Sequence, residues 1–435
     1  MTREPTSRSR RRLTATVTDL EVRVQRAFLV GVELPGMTGV EAERSLDELA
    51  LLTDTAGADP VDRELVHRRR IDPSTYLGSG KAEELATLTK ALDIDLVVFD
   101  NPLAPAQQRS LQKLFECDVV DREALILDIF AQHARSRVGA IQVELAMLRY
   151  NLPRLRGKGR ALSQQGAGVL ARGPGETKLE TDRRRIVQRI SKLERELKAT
   201  VQHRATQRKS RRKTEIPQVA IVGYTNSGKS TLLNALTDAG VLVEDRLFAT
   251  LDSTVRRLVL PDHRGAVVAD TVGFVRRLPH HLVEAFQSTL AEVSESDLLL
   301  VVVDGTDEDP SGQLAAVREV LLEIDAAGIP ELIVVNKTDS MSEVAKQRLQ
   351  NLYPDAVMIS ALERTGLEEM LARIADLLEP PMVALTLEIP YDRGDLVAAA
   401  HRIGDVVEEK HDDQGTILEV RLPQTAMAQF AAFSR

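Results

Sequence analysis

The sequence has no tryptophan, a single cysteine and an aromatic content of 3% over 435 residues. The lone Cys117 excludes an internal disulfide, which fits a reducing compartment. The longest apolar runs, such as residues 298–303, fall far short of the roughly 20 residues that span a membrane, so we expect no stable membrane insertion. Because aromatic residues are scarce, the sheet cores must be filled by aliphatic side chains.

Positive charge is concentrated in one segment. The chain carries a net charge of −8, yet residues 154–213 contain 19 Lys and Arg against 5 Asp and Glu, a local balance of +14. Blocks of like charge are most often solvated surfaces, but such a block inside an acidic chain favours contact with a polyanion. Residues 1–25 are basic and polar at their start, and we expect a disordered basic tail there.

The length of the chain predicts several domains. Between residues 25 and 133, short β-rich runs alternate with amphipathic stretches, which is typical of a small α/β domain. Strands are predicted at residues 27–32, 65–67, 96–99 and 119–120, and helices at residues 40–52, 81–92 and 105–115. Residues 121–152 are predicted to be helical, residues 157–175 to form a mobile glycine-rich loop, and residues 176–213 to form a long exposed helix.

A second α/β pattern follows. Apolar runs at residues 218–223, 265–270, 298–304, 331–336 and 357–360 read as strands buried on both faces of a doubly wound sheet. A small α+β domain closes the chain, with strands expected at residues 384–389 and 416–421 and a helix at 395–401. The predicted domains are the tail (1–25), an N-terminal α/β domain (26–135), a helical basic linker (136–215), a doubly wound α/β domain (216–380) and the C-terminal domain (381–435).

A phosphate-binding motif lies between the first strand and first helix of the doubly wound domain. Residues 223–231 read GYTNSGKST and match G-x-x-x-x-G-K-[ST]. Backbone amides of this loop would hold phosphates, Lys229 would reach the β- and γ-phosphates, and the Ser230 hydroxyl would bind Mg²⁺. The candidate residues are Gly223, Tyr224, Thr225, Asn226, Ser227, Gly228, Lys229, Ser230 and Thr231.

Three further motifs follow the phosphate loop, and the second of them selects guanine. Asp270-Thr271-Val272-Gly273 follows a strand, where Asp270 can hold the metal through water and the Gly273 amide can sense the γ-phosphate. In Asn336-Lys337-Thr338-Asp339, the Asp339 carboxylate can accept two hydrogens from guanine, whereas adenine would leave it unpaired at a cost of about 1–3 kcal/mol. Ser360-Ala361-Leu362 supplies the usual backbone contact to the base. The domain at 216–380 is therefore predicted to be a P-loop GTPase domain that uses GTP as substrate.

The residue after this DxxG motif is Phe274, where many GTPases carry a glutamine that orients the attacking water. We therefore expect slow hydrolysis unless a partner or ion completes the site. Asn226 occupies the loop position that helps hold K⁺ in several GTPases with such a hydrophobic replacement. K⁺ is thus considered as a second cation, against the alternative of an ordinary loop residue.

The whole pattern resembles the HflX family of translational GTPases from about residue 26 to residue 380. The segments that carry the resemblance are YLGSGK (76–81), NPLAPAQQ (101–108), AIQVELAMLRYNLPRL (140–155), GPGETKLE (173–180) and DTVGF (270–274). The resemblance implies binding to the large ribosomal subunit and its RNA, and GTP-dependent splitting of stalled or hibernating ribosomes. It further implies a cytoplasmic monomer with a ribosome- or membrane-associated fraction and hydrolysis stimulated by ribosomes.

The switch threonine has three candidates, Thr250, Ser253 and Thr254. The segment FATLD resembles the corresponding segment of Obg-like and HflX-like GTPases, where this threonine binds Mg²⁺, and Thr250 is therefore preferred. Its neighbours Phe248, Ala249, Leu251 and Asp252 join the predicted GTP site, with Lys229, Thr250 and Gly273 as the catalytic set.

Two other functions stay open at this stage. A tRNA-modifying GTPase would share Asn226 and Phe274 but would need a second active site, and no catalytic cysteine or methyl-donor motif is found. A stress or protease regulator would need a membrane helix or a peptide groove.

Residues 78–81 (GSGK) are either a second phosphate site or a glycine turn before a helix. The role of the C-terminal domain is open.

Overall fold

The structure, a computed structural model, describes residues 24–134, 136–155, 174–212, 216–237, 247–248, 254–276, 290–378, 382–412, 414–423 and 426–434. The chain divides into two compact units, Met1–Met370 and Leu371–Arg435. The predicted tail and most of the predicted glycine-rich loop lie outside the described residues. The expected α/β class is confirmed, while the domain boundaries given above stay predictions.

The first sheet of unit 1 is fully parallel, with strand order β2-β1-β3-β4. Its elements are β1 Gln25–Glu33, α1 Gly39–Ala56, β2 Ala58–His67, α2 Ser79–Ala91, β3 Leu96–Phe99, α3 Pro105–Phe115, β4 Asp118–Asp121 and α4 Arg122–His133. Strand β2 is much longer than predicted. Its first residues are polar and include Pro60, and both features are tolerated because β2 is an edge strand.

The predicted helical stretch 121–152 is two helices. Asp121 caps α4 by accepting a hydrogen bond from the Ala124 amide, and Ser136 caps α5, Arg137–Arg154, by accepting one from the Gly139 amide. The long helix α6, Pro174–Arg212, packs on α5 through a small apolar cluster that contains Leu193.

The second sheet of unit 1 has the order β10-β9-β8-β5-β7-β6 and is parallel except for β6. Its strands are β5 Gln218–Gly223, β6 Thr254–Val259, β7 Gly265–Asp270, β8 Leu298–Asp304, β9 Glu331–Asn336 and β10 Val357–Met358. The associated helices are α7 Lys229–Thr237, α8 Pro310–Glu323 and α9 Glu343–Leu352; helix α10, Leu367–Leu377, begins in unit 1 and ends in unit 2. Strand β6 was not predicted, because its central arginines hide the alternation of an antiparallel edge strand.

Unit 2 contains a three-stranded antiparallel sheet of order β11-β13-β12. Its elements are β11 Met382–Pro390, α11 Gly394–Ile403, β12 Asp405–His411, β13 Gly415–Pro423 and α12 Met427–Phe430. One face of the sheet is buried through Leu387, Leu418 and Phe430.

None of the helices in the described parts of the chain combines the length and the apolar character that crossing a bilayer requires.

Candidate functional site

The phosphate loop connects the buried strand β5 to helix α7. Gly228, the last loop residue, has φ +91°, and a Cβ there would lie 2.2 Å from Asn336 Nδ2. Only glycine fits both the conformation and the contact. Asn336 donates to the Ser227 carbonyl at 2.9 Å and accepts from the Ala361 amide at 3.0 Å. One buried amide side chain therefore joins the phosphate loop to the predicted guanine loop.

Lys229 and Ser230 begin α7 directly after the loop. The Lys229 amine is buried and donates to the Tyr224 carbonyl at 2.6 Å. Burial lowers the pKa of Lys229 to about 8. The negative charge of Asp270 opposes this shift, and the positive charge of Lys337 adds to it. A phosphate placed here would restore the charged form.

The polar atoms of the loop fit phosphate and magnesium. Among the described residues, the buried hydroxyl oxygens of Thr225 and Ser227 have no hydrogen-bond partner, so they are available to a ligand. Ser230 Oγ donates to the buried Asp270 Oδ2 at 2.7 Å, which brings two hard oxygen donors together. This is the donor chemistry that Mg²⁺ prefers. Thr231 lies in the first turn of α7.

The DTVG motif lies against the phosphate loop. A Cβ on Gly273 would come within 2.8 Å of Thr225 Cγ2 and 3.1 Å of Lys229 Nζ, so this position requires glycine. Thr271 donates to the Ile221 carbonyl at 2.7 Å and Val272 is buried, so their side chains support the strand. The Phe274 side chain is in the core, 1% exposed.

The guanine loop follows β9. Lys337 has φ +65°, and its amine pairs with Asp304 at 2.7 Å. The Thr338 amide donates to the Ile359 carbonyl at 3.2 Å. Hydrogen bonds from the Ser360 and Ser340 hydroxyls hold the pKa of the exposed Asp339 below its usual value, so the carboxylate is ionised.

The remaining candidates divide between the described and undescribed parts of the chain. Leu362 is 78% exposed. Asn226 is exposed with φ +59°. Phe248 is buried, with φ +57°, and Thr254 begins β6. Outside the described residues lie Ala249, Thr250, Leu251, Asp252 and Ser253.

A polar network beside the site was not predicted from the sequence. The Tyr224 hydroxyl donates to Glu48 of α1 at 2.7 Å, and Arg122 of α4 lies 3.5 Å from the same carboxylate. The one signal in the sequence is that Glu48 occurs among the buried leucines of α1. Nothing local links it to the phosphate loop, which is 176 positions away.

Three family models match the chain. They are described as the N-terminal part of a GTP-binding GTPase (residues 43–131), the middle region of the same (133–211) and a 50S ribosome-binding GTPase (218–337). The GTPase HflX of Caldanaerobacter subterraneus subsp. tengcongensis is 44% identical over 391 residues, covering 90% of this chain and 89% of that protein. The chain belongs to the HflX family of GTPases. The resemblance inferred from the motifs is thereby confirmed, and the protein binds and hydrolyses GTP.

A second relative and one solved structure also match the chain. The GTPase HflX of Escherichia coli (strain K12) is 41% identical over 381 residues, covering 87% of this chain and 89% of that one. A crystal structure of a GTP-binding protein from Sulfolobus solfataricus with GDP is 26% identical and covers 82% of this chain and 99% of that one, with a TM-score of 0.42.

Proposed function

We propose that this GTPase associates with the large ribosomal subunit through helix α6 and uses GTP to separate stalled or hibernating ribosomes into subunits. The observation that carries the proposal is the exposed cationic surface of α6. Between residues 180 and 200 its exposed cations outside the junction with α5 are Arg183, Arg184, Arg185, Lys192, Arg195 and Lys198. Contacts between such side chains and phosphates supply affinity without sequence preference, which suits a folded ribosomal RNA surface.

The helix is anchored along one side. Leu193 is 1% exposed and packs on Ile141 and Leu145 of α5, and three Arg–Glu pairs cross the same junction. Because those pairs are exposed, each contributes little on its own. The apolar contact therefore fixes the helix, and between residues 180 and 200 the sides of α6 that face away from α5 stay exposed.

In the proposed cycle the chain's own residues bind and orient GTP. Loop amides and Lys229 hold the phosphates, Asp339 selects the base, and the Gly273 amide contacts the γ-phosphate. Ser230 and Thr250 would hold Mg²⁺, with Asp270 acting through water. When bound, that ion would offset the charge that develops on the phosphates.

Hydrolysis is proposed to be slow until the ribosome completes the site. The side chain after Gly273 is the buried, apolar Phe274, which cannot orient a water molecule. A ribosomal surface, with K⁺ held near the exposed Asn226, is proposed to supply the missing contacts. Hydrolysis would then permit release from the large subunit.

Gradient sedimentation with a non-hydrolysable GTP analogue at physiological salt tests the proposal. We expect the protein to move with large subunits, and intact ribosomes to decrease in favour of subunits. Exchanging Arg183, Arg184 and Arg185 for serine should abolish the shift without changing GTP binding, while the matched Arg318→Ser should bind as wild type. If the protein stays at the top of the gradient, the proposal is wrong.

The role of K⁺ is tested by measuring hydrolysis rates with ribosomes in KCl and in NaCl. Equal rates in the two salts would show that K⁺ has no part in hydrolysis.

A further inference from the structure

Tyr224, the second residue of the phosphate loop, buries its side chain and is 7% exposed. Its hydroxyl lies 2.7 Å from Glu48 Oε2 and 2.7 Å from the Arg276 backbone nitrogen. A carboxylate only accepts and a backbone N–H only donates, so the hydroxyl donates to Glu48 and accepts from Arg276. Burial and the Glu48 charge raise the pKa of Tyr224 far above its usual value. The Tyr224 hydroxyl therefore stays protonated at any working pH.

The bridge adds to a short pairing between the phosphate loop and the segment after the DTVG motif. The Phe274 amide donates to the Gly223 carbonyl at 3.1 Å, and the Thr225 amide donates to the Phe274 carbonyl at 2.7 Å. The bond from the Arg276 amide to the Tyr224 hydroxyl is the third. Of these three bonds it alone uses a side chain, and it alone continues, through the Tyr224 hydroxyl, to Glu48 of α1.

The partner of the bridge is fixed from the N-terminal side. Glu48 is 8% exposed, and its second oxygen lies 3.5 Å from Arg122 Nη1. Arg122 is also paired with Asp100 at 2.7 Å and donates to the Arg276 carbonyl at 3.4 Å. The Arg276 carbonyl thus meets Arg122 of α4, and the Arg276 amide meets the Tyr224 hydroxyl, which is bonded in turn to Glu48 of α1.

Two further contacts join the same parts of unit 1. The Arg276 guanidinium pairs with Asp309 at 2.9 Å, and Arg44 of α1 pairs with the same carboxylate at 3.0 Å. The ring of Phe248, just before the predicted switch threonine, meets the ring of Phe130 of α4 edge to face, with centroids 4.7 Å apart. The residue Phe248 and the segment after Gly273 therefore both contact the N-terminal α/β layer.

We propose that the Tyr224 hydroxyl is a positioning group for GTP hydrolysis, which holds the segment after Gly273 against the phosphate loop by bridging Glu48 and the Arg276 amide. Gly273 lies so close to Lys229 that an added Cβ would be 3.1 Å from the amine, so displacement of this segment moves Gly273 relative to the terminal phosphate. GDP lacks that phosphate. The contribution of the bridge must therefore appear with GTP and not with GDP.

Tyr224→Phe removes the bridging oxygen and keeps the ring. We expect the affinity for a non-hydrolysable GTP analogue to fall about tenfold, because one hydrogen bond to a charged group contributes roughly that factor. The affinity for GDP should stay within about twofold of the wild type. The kcat for hydrolysis without ribosomes should fall by a similar factor. Fluorescent-nucleotide titrations and single-turnover hydrolysis give these values, and they do not involve ribosomes, so the ribosomal proposal above is not at stake.

The matched control is Tyr353→Phe, which removes a hydroxyl that donates to Ser311 at 2.9 Å among the helices of the second sheet. It should leave the GTP-to-GDP affinity ratio unchanged. If Tyr224→Phe fails to fold, Glu48→Leu must give the GTP-selective loss, and Glu48→Gln, whose amide oxygen still accepts, must restore the ratio. Equal losses for GTP and GDP, or no loss, in the folded variants would overturn the proposal.

Discussion

Lys229 should make nucleotide binding consume protons at mildly alkaline pH. Burial lowers the pKa of its amine to about 8, so near pH 8 half of the free protein carries a neutral lysine. The phosphates of a bound nucleotide favour the ammonium form and raise this pKa. Binding should then take up about half a proton per site at pH 8 and about a tenth at pH 7. Because the charged form binds, affinity falls as pH rises through 8, by about tenfold between pH 7 and pH 9.

Calorimetric titration of GDP in buffers of different ionisation enthalpy measures this proton number directly. The nucleotide phosphates titrate near pH 6 and are ionised at pH 8, so they contribute little. Lys229→Arg keeps the charge at every pH used and should bind without proton uptake, although its longer side chain fits less well. No uptake by the wild type at pH 8, or the same uptake by Lys229→Arg, would refute the reasoning.

Two predictions concern packing around the site. Gly228→Ala should lower nucleotide affinity more than 100-fold in a fluorescence titration, because its Cβ would lie 2.2 Å from Asn336 Nδ2 at φ +91°. Gly80→Ala, with nothing within 4 Å of the added Cβ, should bind normally, and equal affinities would contradict this account. Arg122→Met should destabilise the protein to denaturant by about 3–5 kcal/mol, since it leaves buried carboxylates without their cation. Exchange of the exposed Arg63 for Met should lower the free energy of unfolding by less than about 1 kcal/mol. Similar denaturation midpoints for the two variants would show that the buried network does not contribute to stability.

Strands are predicted best from the sequence where the residues of the strand alone determine whether it is buried. The strand at 298–304 is an unbroken apolar run, so its burial on both faces follows from composition. Strands β2, β6 and β12 are edge strands whose polar side chains give no such signal, and they were wholly or partly missed. Their backbones are paired by a neighbour that the local sequence does not reveal.

The same distinction applies to the nucleotide site. The motifs around Lys229, Asp270 and Asn336 are read from adjacent residues, since phosphate and guanine contacts need fixed local spacing. Glu48 is different, because its partner is brought to it only when α1 and α4 pack against the phosphate loop and the segment after Gly273. A carboxylate among buried leucines indicates that it has a polar partner, but the local sequence does not show which residue that partner is.

The position of Tyr224 explains how the N-terminal layer can act on the reaction without altering its chemistry. In G-x-x-x-x-G-K-[ST] the loop holds phosphate through its backbone amides, so the residue after the first glycine does not need its side chain for that contact. At Tyr224 that freedom is used to reach Glu48 on one side and the Arg276 amide on the other. A partner that shifts the N-terminal layer would change the support of the segment after Gly273 while the phosphate loop keeps its shape. Control of hydrolysis by a large binding surface thus needs no additional catalytic residue from this chain.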